Sequence, residues 1–168
     1  MGVRFLIEHL GPGHDRAGFS CGVEALDRYF QQQASQDVRR RVTACYVAIE
    51  VQGGRVAGYF TLSAAGILLV DLPANLAKKL PRYPSVPVAR PGRLAVDQSY
   101  RGCKLGGALL WDAIQRSLRS EVAVYALVVD AKDEAAESFY LHHGFVPFGS
   151  RPRQLCLPLA NLAPKAGR

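Results

Sequence analysis

The fold is decided by residues 93–110, which read RLAVDQSYRGCKLGGALL. Residues 94–96 are typical of a strand end, and residues 105–118 place apolar side chains on one helical stripe. The turn between them contains three glycines, Gly102, Gly106 and Gly107. Small residues let a ligand approach the backbone closely, and the free N–H groups of a helix start suit phosphate oxygens. The segment therefore predicts a strand, an anion-binding turn and a helix, with Arg101 as an additional charged donor.

Upstream, the pattern predicts one helix and a β-hairpin. Apolar residues fall four apart in residues 23–35, as in an amphipathic helix. Residues 43–51 and 55–63 are rich in β-branched and aromatic side chains and flank a glycine turn, which is typical of a hairpin. Three prolines in residues 80–87 favour an extended surface loop.

Downstream, a buried strand and a short helix are expected. The nearly continuous apolar run at 122–129 predicts a strand covered on both faces. Asp133 can cap a helix over residues 134–142, and Gly144 can end it. Two closing strands are predicted, at 145–148 and 155–159. Together these elements predict a mixed α/β fold, with a central sheet flanked by helices.

Length and composition favour one globular domain. The 168 residues fit a single domain over 1–168, and 49% hydrophobic residues are too many for a disordered chain. The sequence has no run of about 20 apolar residues and no basic and apolar leader, so we expect a cytoplasmic protein without a membrane partner. The four cysteines are scattered without a CxxC pair, which predicts reduced thiols and no metal site.

The net charge of +7 favours an anionic partner, which could be nucleic acid, the phosphates of a cofactor or an acidic protein. Seven basic residues are candidates for such contacts: Arg39, Arg40, Arg41, Lys78, Lys79, Arg90 and Arg93. For any one of them, ordinary solvated surface charge is the alternative.

Two motifs resemble those of the GNAT acetyltransferases. Residues 94–96 followed by Arg101-Gly-x-x-Leu-Gly106 resemble the acetyl-CoA signature of that family, usually written Q/R-x-x-G-x-G/A. Residues 135–145, AAESFYLHHGF, resemble its second hallmark, a short helix with FY before a GF strand start. Both motifs have the family's order and separation. The resemblance implies the GNAT acyl-CoA N-acyltransferase fold, acetyl-CoA as the acetyl donor, and no metal.

The same resemblance implies roles for individual residues. The backbone of three strand residues would bind the pantetheine arm: Leu94, Ala95 and Val96. The pyrophosphate would lie on the turn and helix start: Arg101, Gly102, Cys103, Lys104, Leu105, Gly106 and Gly107. Tyr140 would be the general acid, since a phenol with a reference pKa of about 10 can protonate the departing CoA thiolate. Lys104 departs from the family pattern, because the third motif position is commonly glycine. Its side chain either points outward or distorts the turn.

A narrower resemblance concerns the substrate. Residues 19–30, FSCGVEALDRYF, and 58–63, GYFTLS, are similar to the GNAT toxins of bacterial toxin–antitoxin systems. That resemblance implies acetylation of the α-amino group of aminoacyl-tRNA, an antitoxin partner and a homodimer. Arg90 and Arg93 are then the first candidates for the acceptor end, ahead of the other basic residues.

The residues before the turn agree with an α-amine substrate. Many GNAT enzymes carry a glutamate base there, whereas residues 88–94, VARPGRL, contain no carboxylate. An α-amino group has a reference pKa of about 8 and is partly neutral without a strong base, unlike a lysine amine at about 10.4. The alternatives are acetylation of a small-molecule amine or a protein N-terminus, and a non-catalytic GNAT-like module that binds RNA or a partner.

Overall fold

The computed structural model describes residues 2–162, which form seven strands and five α-helices. The strands are β1 (Phe5–His9), β2 (Ala44–Glu50), β3 (Val56–Leu68), β4 (Ser85–Val96), β5 (Ala126–Asp130), β6 (Val146–Pro147) and β7 (Gln154–Pro158). The α-helices are α1 (Glu24–Arg28), α2 (Ala34–Arg39), α3 (Ala74–Ala77), α4 (Leu105–Leu118) and α5 (Glu134–His142). A π turn, Tyr29–Gln33, joins α1 to α2, and two 3-10 turns lie at Leu69–Asp71 and Gln98–Tyr100.

The strands form one mixed sheet in the order β1-β2-β3-β4-β5-β7-β6. β1 and β2, β2 and β3, β5 and β7, and β6 and β7 pair antiparallel. β4 and β5 pair parallel. The predicted fold class, a mixed α/β sheet flanked by helices, is confirmed.

The chain divides into two compact units. Unit 1 comprises Met1–Ser63 and Pro91–Ala113, and unit 2 comprises Ala64–Arg90 and Ile114–Arg168. The boundaries fall within β3, β4 and α4. The expectation of a single domain over 1–168 stays a prediction.

The core of unit 1 is aromatic. Phe30 stacks on Tyr59 with ring centroids 4.3 Å apart, and Phe19 meets both rings edge-on. Phe30 and Tyr59 are fully buried. The first helical segment, which comprises α1, the π turn and α2, therefore packs against β3 through large buried aromatic rings. Such ring pairs stabilise a core by about 0.5–1.5 kcal/mol each beyond the area they bury.

The core of unit 2 is aliphatic. Val88 of β4, Val128 of β5 and Cys156 of β7 are fully buried and belong to one cluster. Phe148 and Leu72 pack against the same cluster. β-Branched residues at the centre of this cluster suit strands that are covered on both faces.

The helices after the two motifs match the prediction. α4 spans 105–118 as predicted, and α5 spans 134–142. The Asp133 carboxylate accepts a hydrogen bond from the Ala136 amide at 2.8 Å, which confirms the predicted cap. Gly144, with φ of +94°, follows the end of α5, where the left-handed backbone favours glycine.

Several boundaries differ from the prediction. The first helix was predicted to end at residue 35 but continues to 39, and it contains the π turn. The Tyr29 and Phe30 rings pack in the core of unit 1, and this packing overrides a regular 3.6-residue period. β4 already begins at Ser85 although proline was expected to keep 80–87 in a loop. Pro87 cannot donate to the sheet, but its carbonyl still takes part, accepting from the Tyr125 amide at 2.8 Å.

Three further strands differ from the prediction. β5 begins at Ala126 and not at 122, since Val122 is exposed and the apolar run extends beyond the paired residues. β1 was not predicted, because five residues before a Gly-Pro-Gly break give too short a signal, and only the partner β2 defines it. The predicted strand 145–148 reduces to the two residues of β6. Among the described residues, no helix is long and apolar enough to cross a membrane.

Candidate functional site

The turn predicted to bind an anion lies between β4 and α4 and is exposed. A 3-10 turn, Gln98–Tyr100, follows β4, and residues 101–104 then lead into α4 with their side chains in solvent. Gly102 has φ of +82° and Lys104 has φ of +60°. Two left-handed residues so close together give this turn its sharp change of direction before the helix.

The start of α4 has free amides. The first bond of the helix runs from the Ala108 amide to the Lys104 carbonyl at 3.3 Å. Within residues 2–162, the amides of Leu105, Gly106 and Gly107 have no acceptor. Leu105 is buried and fixes the helix start, whereas the two glycines are half-buried and carry no side chain over their amides. The positive end of the α4 dipole is therefore open to an anion.

The sequence allows the Lys104 side chain either to point outward or to distort the turn, and in the structure it points outward. Its side chain is exposed, so it does not fill the turn. Its φ of +60° explains why glycine is usual at this motif position, since a left-handed backbone costs a residue with a Cβ roughly 1–2 kcal/mol.

Asp97, the residue after β4, holds the turn to the N-terminal part of unit 1. Its carboxylate is 2% exposed and accepts from the Ser20 amide at 2.9 Å and the Ser99 amide at 2.8 Å. Arg55 lies 3.7 Å from the same carboxylate. Sequence analysis did not assign Asp97 a role, because its partner Ser20 is 77 positions away.

Arg101 takes part in the same connection. One guanidinium nitrogen donates to the Cys21 carbonyl at 3.0 Å, and the Gln98 amide donates to the Ser20 carbonyl at 2.8 Å. Gly22 has φ of +92°, a backbone that favours glycine, and a Cβ there would come within 2.7 Å of the Gln98 side chain and 2.8 Å of the Arg101 guanidinium. The segment just before α1 and the turn before α4 are thus fixed to each other.

The three strand residues predicted to bind pantetheine precede this turn. Ala95 is buried, while Leu94 and Val96 are half-buried. The ladder of β4 with β5 consists of Val88↔Ala126 and Ala89↔Leu127, so β5 pairs with no β4 residue after Ala89. The backbone polar groups of residues 94–96 thus lie outside the ladder of β4 with β5.

Tyr140 is held on α5 by an aromatic cluster. Its ring meets Phe139 and Phe145 edge-on, both at 5.2 Å, and its side chain is almost fully buried. Within residues 2–162 the Tyr140 hydroxyl has no hydrogen-bond partner. Every fully buried side-chain oxygen in that range does have one, so the Tyr140 hydroxyl oxygen is in contact with solvent. Burial raises the pKa of Tyr140 to about 12. The phenol therefore remains a protonated donor at neutral pH.

The seven basic candidates have different surroundings. Arg39, Arg40 and Arg41 are exposed at the end of α2, and Lys78 and Lys79 are exposed after α3. Arg90 forms an ion pair with Asp130 at 2.8 Å, which occupies its charge. The guanidinium carbon of Arg93 lies 3.5 Å from the centre of the Tyr29 ring, a cation–π contact.

Tyr29 and Asp37 support Arg93 and were not singled out by sequence analysis. The Tyr29 hydroxyl donates to Asp37 at 2.9 Å, and the Gln33 amide donates to the other carboxylate oxygen at 3.0 Å. Hydrogen bonds from Gln33 and Tyr29, with the charges of Arg93 and Arg40, hold the pKa of Asp37 below its usual value. Arg93 and Arg40, predicted from separate segments, therefore both act on one carboxylate.

Within residues 2–162, no three His, Cys, Asp or Glu side chains are grouped as metal ligands would be. Cys103 is exposed in the turn, while Cys21, Cys45 and Cys156 are buried cysteines that form no disulfide among the described residues. The chemistry available at the turn is thus that of backbone amides and cations.

Comparison with known proteins agrees with this geometry. The family model described as "Acetyltransferase (GNAT) domain" matches residues 41–147. A protein of Sinorhizobium fredii named "Probable toxin TacT" is 30% identical over 167 residues, covering 94% of this chain and 92% of the relative. The "tRNA-acetylating toxin" of Mycobacterium tuberculosis is 32% identical over 145 residues, covering 85% of each protein.

Solved structures give the same result. AtaT complexed with acetyl-methionyl-tRNAfMet has a TM-score of 0.88 at 28% identity, over 95% of this chain and 97% of that one. AtaTR bound with acetyl-CoA has a TM-score of 0.81 at 27% identity, over 94% and 95%. A Tyr-to-Phe mutant of the AtaT toxin bound to the C-terminus of the antitoxin AtaR has a TM-score of 0.79 at 25% identity, over 94% and 95%.

The chain therefore belongs to the GNAT acetyltransferase family. The recognition of that family from two short motifs is confirmed, as is acetyl-CoA as its cofactor.

Proposed function

We propose that this protein is a toxin that transfers the acetyl group of acetyl-CoA to the α-amino group of aminoacyl-tRNA. A blocked α-amine cannot form a peptide bond, so translation stops. The observation that carries the proposal is the open start of α4, where three backbone amides have no acceptor within residues 2–162. It follows the last residues of β4, which lie outside the ladder with β5. The toxin assignment is supported by relatives named as toxins that cover most of the chain.

The cofactor is assigned to unit 1. The amides of residues 101–107 receive the pyrophosphate, and the exposed Lys104 adds positive charge close by. The backbone of residues 94–96 hydrogen-bonds the pantetheine arm. Because Arg101 already donates to Cys21, its main contribution is to fix the turn, together with any charge it offers to the phosphates.

Tyr140 is proposed as the general acid. The neutral α-amine attacks the thioester carbonyl, an N–C bond forms as the C–S bond breaks, and the phenol delivers a proton to the CoA thiolate. The proton that the attacking nitrogen loses returns through solvent to the phenolate, which regenerates the acid. With its pKa raised to about 12, the phenol still carries its proton at and above pH 8, where most of the α-amine is neutral. The α-amine needs no strong base, in agreement with the lack of a carboxylate in residues 88–94.

The remaining assignments belong to the same proposal. The chain works as one catalytic domain in the cytoplasm, where charged tRNA is found. Its basic residues bind the tRNA, with Arg93 ahead of Arg90 because Arg90 is paired with Asp130. An antitoxin with an acidic segment neutralises the protein, which we expect to form a homodimer.

Mass spectrometry of charged tRNA tests the proposal directly. Purified protein is incubated with acetyl-CoA and total aminoacyl-tRNA, and the RNA is then digested with ribonuclease. Mass spectrometry gives the masses of the released 3′-terminal aminoacyl-adenosines. We expect a gain of one acetyl group on the aminoacyl ends of a subset of tRNAs. Binding of acetyl-CoA without any acetylated ends would move the substrate to a small amine or a protein N-terminus.

A further inference from the structure

A cavity of about 370 Å³ opens between the first helical segment and β4 in unit 1. Its walls include Leu26, Arg28, Tyr29, Gln32, Gln33 and Arg93. The volume lies in the range of small-molecule sites. The π turn Tyr29–Gln33 forms part of the wall, and single π turns beside α-helices are frequent at functional sites.

Arg93 presents an unused cation to this cavity. One face of its guanidinium is covered by the Tyr29 ring at 3.5 Å, and its own amide donates to the Thr61 hydroxyl at 3.0 Å. Within residues 2–162, the guanidinium forms no hydrogen bond or ion pair. Its planar set of N–H donors therefore remains available for an anion, and phosphate matches that geometry.

The position of Arg93 is set by buried neighbours. Tyr29 is 8% exposed and its hydroxyl is anchored on Asp37, whose second oxygen is occupied by Gln33. Arg93 thus lies on a ring that cannot easily move. A cation held in place loses less rotamer entropy when it binds than a free surface arginine does.

The charges around the cavity leave a positive excess. The cations are Arg28, Arg93 and Arg40, which acts on Asp37. The anions are Glu24, paired with Arg28, and Asp37, whose oxygens accept from Tyr29 and Gln33. Arg28 and Glu24 neutralise each other, and Arg93 and Arg40 share the single carboxylate of Asp37. The remaining excess of one positive charge favours a singly charged phosphodiester.

We propose that this cavity binds the phosphate of the 3′-terminal nucleotide of the RNA acceptor, with Arg93 as the phosphate ligand and Tyr29 as its positioning residue. This inference rests on the proposed function, and distance supports it. Three strand steps, roughly 10 Å, lead from Arg93 to Val96, where the pantetheine arm is assigned. One ribose and one ester separate that phosphate from the amine, so a phosphate at Arg93 directs the amine toward the acetyl end.

Two RNA probes test the site without any chemistry. One is a labelled, uncharged acceptor-stem minihelix that ends in CCA, and the other is the same minihelix without its terminal adenosine. Fluorescence anisotropy gives the Kd of each. We expect the wild-type protein to bind the CCA probe more tightly than the shortened probe, because only the CCA probe carries the phosphodiester that joins the last cytidine to the terminal adenosine.

Substitutions assign that preference to Arg93. Arg93→Gln should weaken the CCA probe about tenfold, the loss expected for one charge-assisted hydrogen-bonded contact, and should bring the two probes to equal affinity. Arg90→Gln is the matched control on the same strand, because its cation is paired with Asp130, and it should preserve the preference. Tyr29→Leu should reduce the preference, and Tyr29→Phe should reduce it less, since it keeps the ring.

The outcomes separate this inference from the proposed function. Equal weakening of both probes by Arg93→Gln, or no preference in the wild type, would overturn the terminal-phosphate site. If the preference depends on Arg93 but charged tRNA is never acetylated, the RNA subsite stands and the proposed function fails. If tRNA is acetylated and Arg93→Gln leaves its KM unchanged, the proposed function stands and the subsite fails.

Discussion

Two strand-to-helix junctions of this chain begin their helices in opposite ways. At α5 the Asp133 carboxylate accepts from the Ala136 amide, so the helix start is closed by its own cap. At α4 the amides of Leu105, Gly106 and Gly107 have no acceptor within residues 2–162. A capped helix start is complete by itself, whereas an open one has its positive dipole end left for an anion.

Under the proposed function, the open junction binds the cofactor and the closed junction positions Tyr140. The open junction lowers the stability of the fold, since Lys104 adopts a left-handed backbone and three amides have no acceptor within residues 2–162. The closed junction is unstrained and delivers Tyr140 within an aromatic cluster. Substitutions at the two junctions should therefore separate cofactor affinity from turnover.

The largest effect is expected from Tyr140→Phe. This change removes the proposed proton donor but keeps the ring packed against Phe139 and Phe145. We expect kcat for acetylation of charged tRNA to fall roughly 100-fold or more, the usual contribution of a general acid. The Kd of CoA, measured by calorimetry, should stay within about twofold, because the start of α4 is unchanged. Unaltered turnover would remove Tyr140 from the mechanism.

The pH profile sharpens the same prediction. Because burial raises the pKa of Tyr140 to about 12, the acid stays protonated and the rate should not decline up to about pH 10. The rate should instead rise through the ionisation of the substrate α-amine, near pH 8. An amide-linked aminoacyl-RNA, which resists hydrolysis, allows the measurement. A loss of rate beginning near pH 9 would contradict a donor with this pKa.

The next largest effect is expected from Lys104→Asp, which makes the open junction resemble the closed one. An anion at the start of α4 competes for the free amides and repels the pyrophosphate, so CoA affinity should fall at least about tenfold. The loss should shrink as ionic strength rises. Lys104→Gly is the matched control, since it removes the charge and relieves the φ of +60°. We expect it to weaken CoA less and to raise the free energy of unfolding by about 1 kcal/mol. Equal CoA affinity for all three proteins would show that the turn does not hold the pyrophosphate.

The smallest effect is expected from Asp133→Ala, which opens the closed junction. Loss of the cap should lower the free energy of unfolding by about 1 kcal/mol, as measured by urea denaturation. Asp133→Asn should restore most of that stability, since asparagine also caps helices. CoA affinity should not change in either variant. A loss of CoA binding comparable to that of Lys104→Asp would mean that the two junctions do not differ in function.

The regular elements around the motifs could be predicted because their signals are local. Leu105–Leu118 follows a helical stripe, and Asp133 and Gly144 mark the ends of α5 with residue types that have specific backbone preferences. β1 and the start of β4 could not be predicted, because their pairing partners override weak or unfavourable local propensity. The π turn likewise depends on how the rings of Tyr29 and Phe30 pack in unit 1.

The sequence by itself identified the family, which is confirmed, and predicted the cofactor turn and the candidate acid, because glycines and an FY pair at fixed spacing carry that information locally. Only the tertiary structure decided which cations are available. Arg90 and Arg93 read alike in the sequence, but Asp130, 40 positions from Arg90, pairs with the first, while Tyr29, from the first helical segment, stacks under the second. The charge of a side chain is set by its chemistry, whereas its freedom to bind depends on neighbours that folding brings from distant positions.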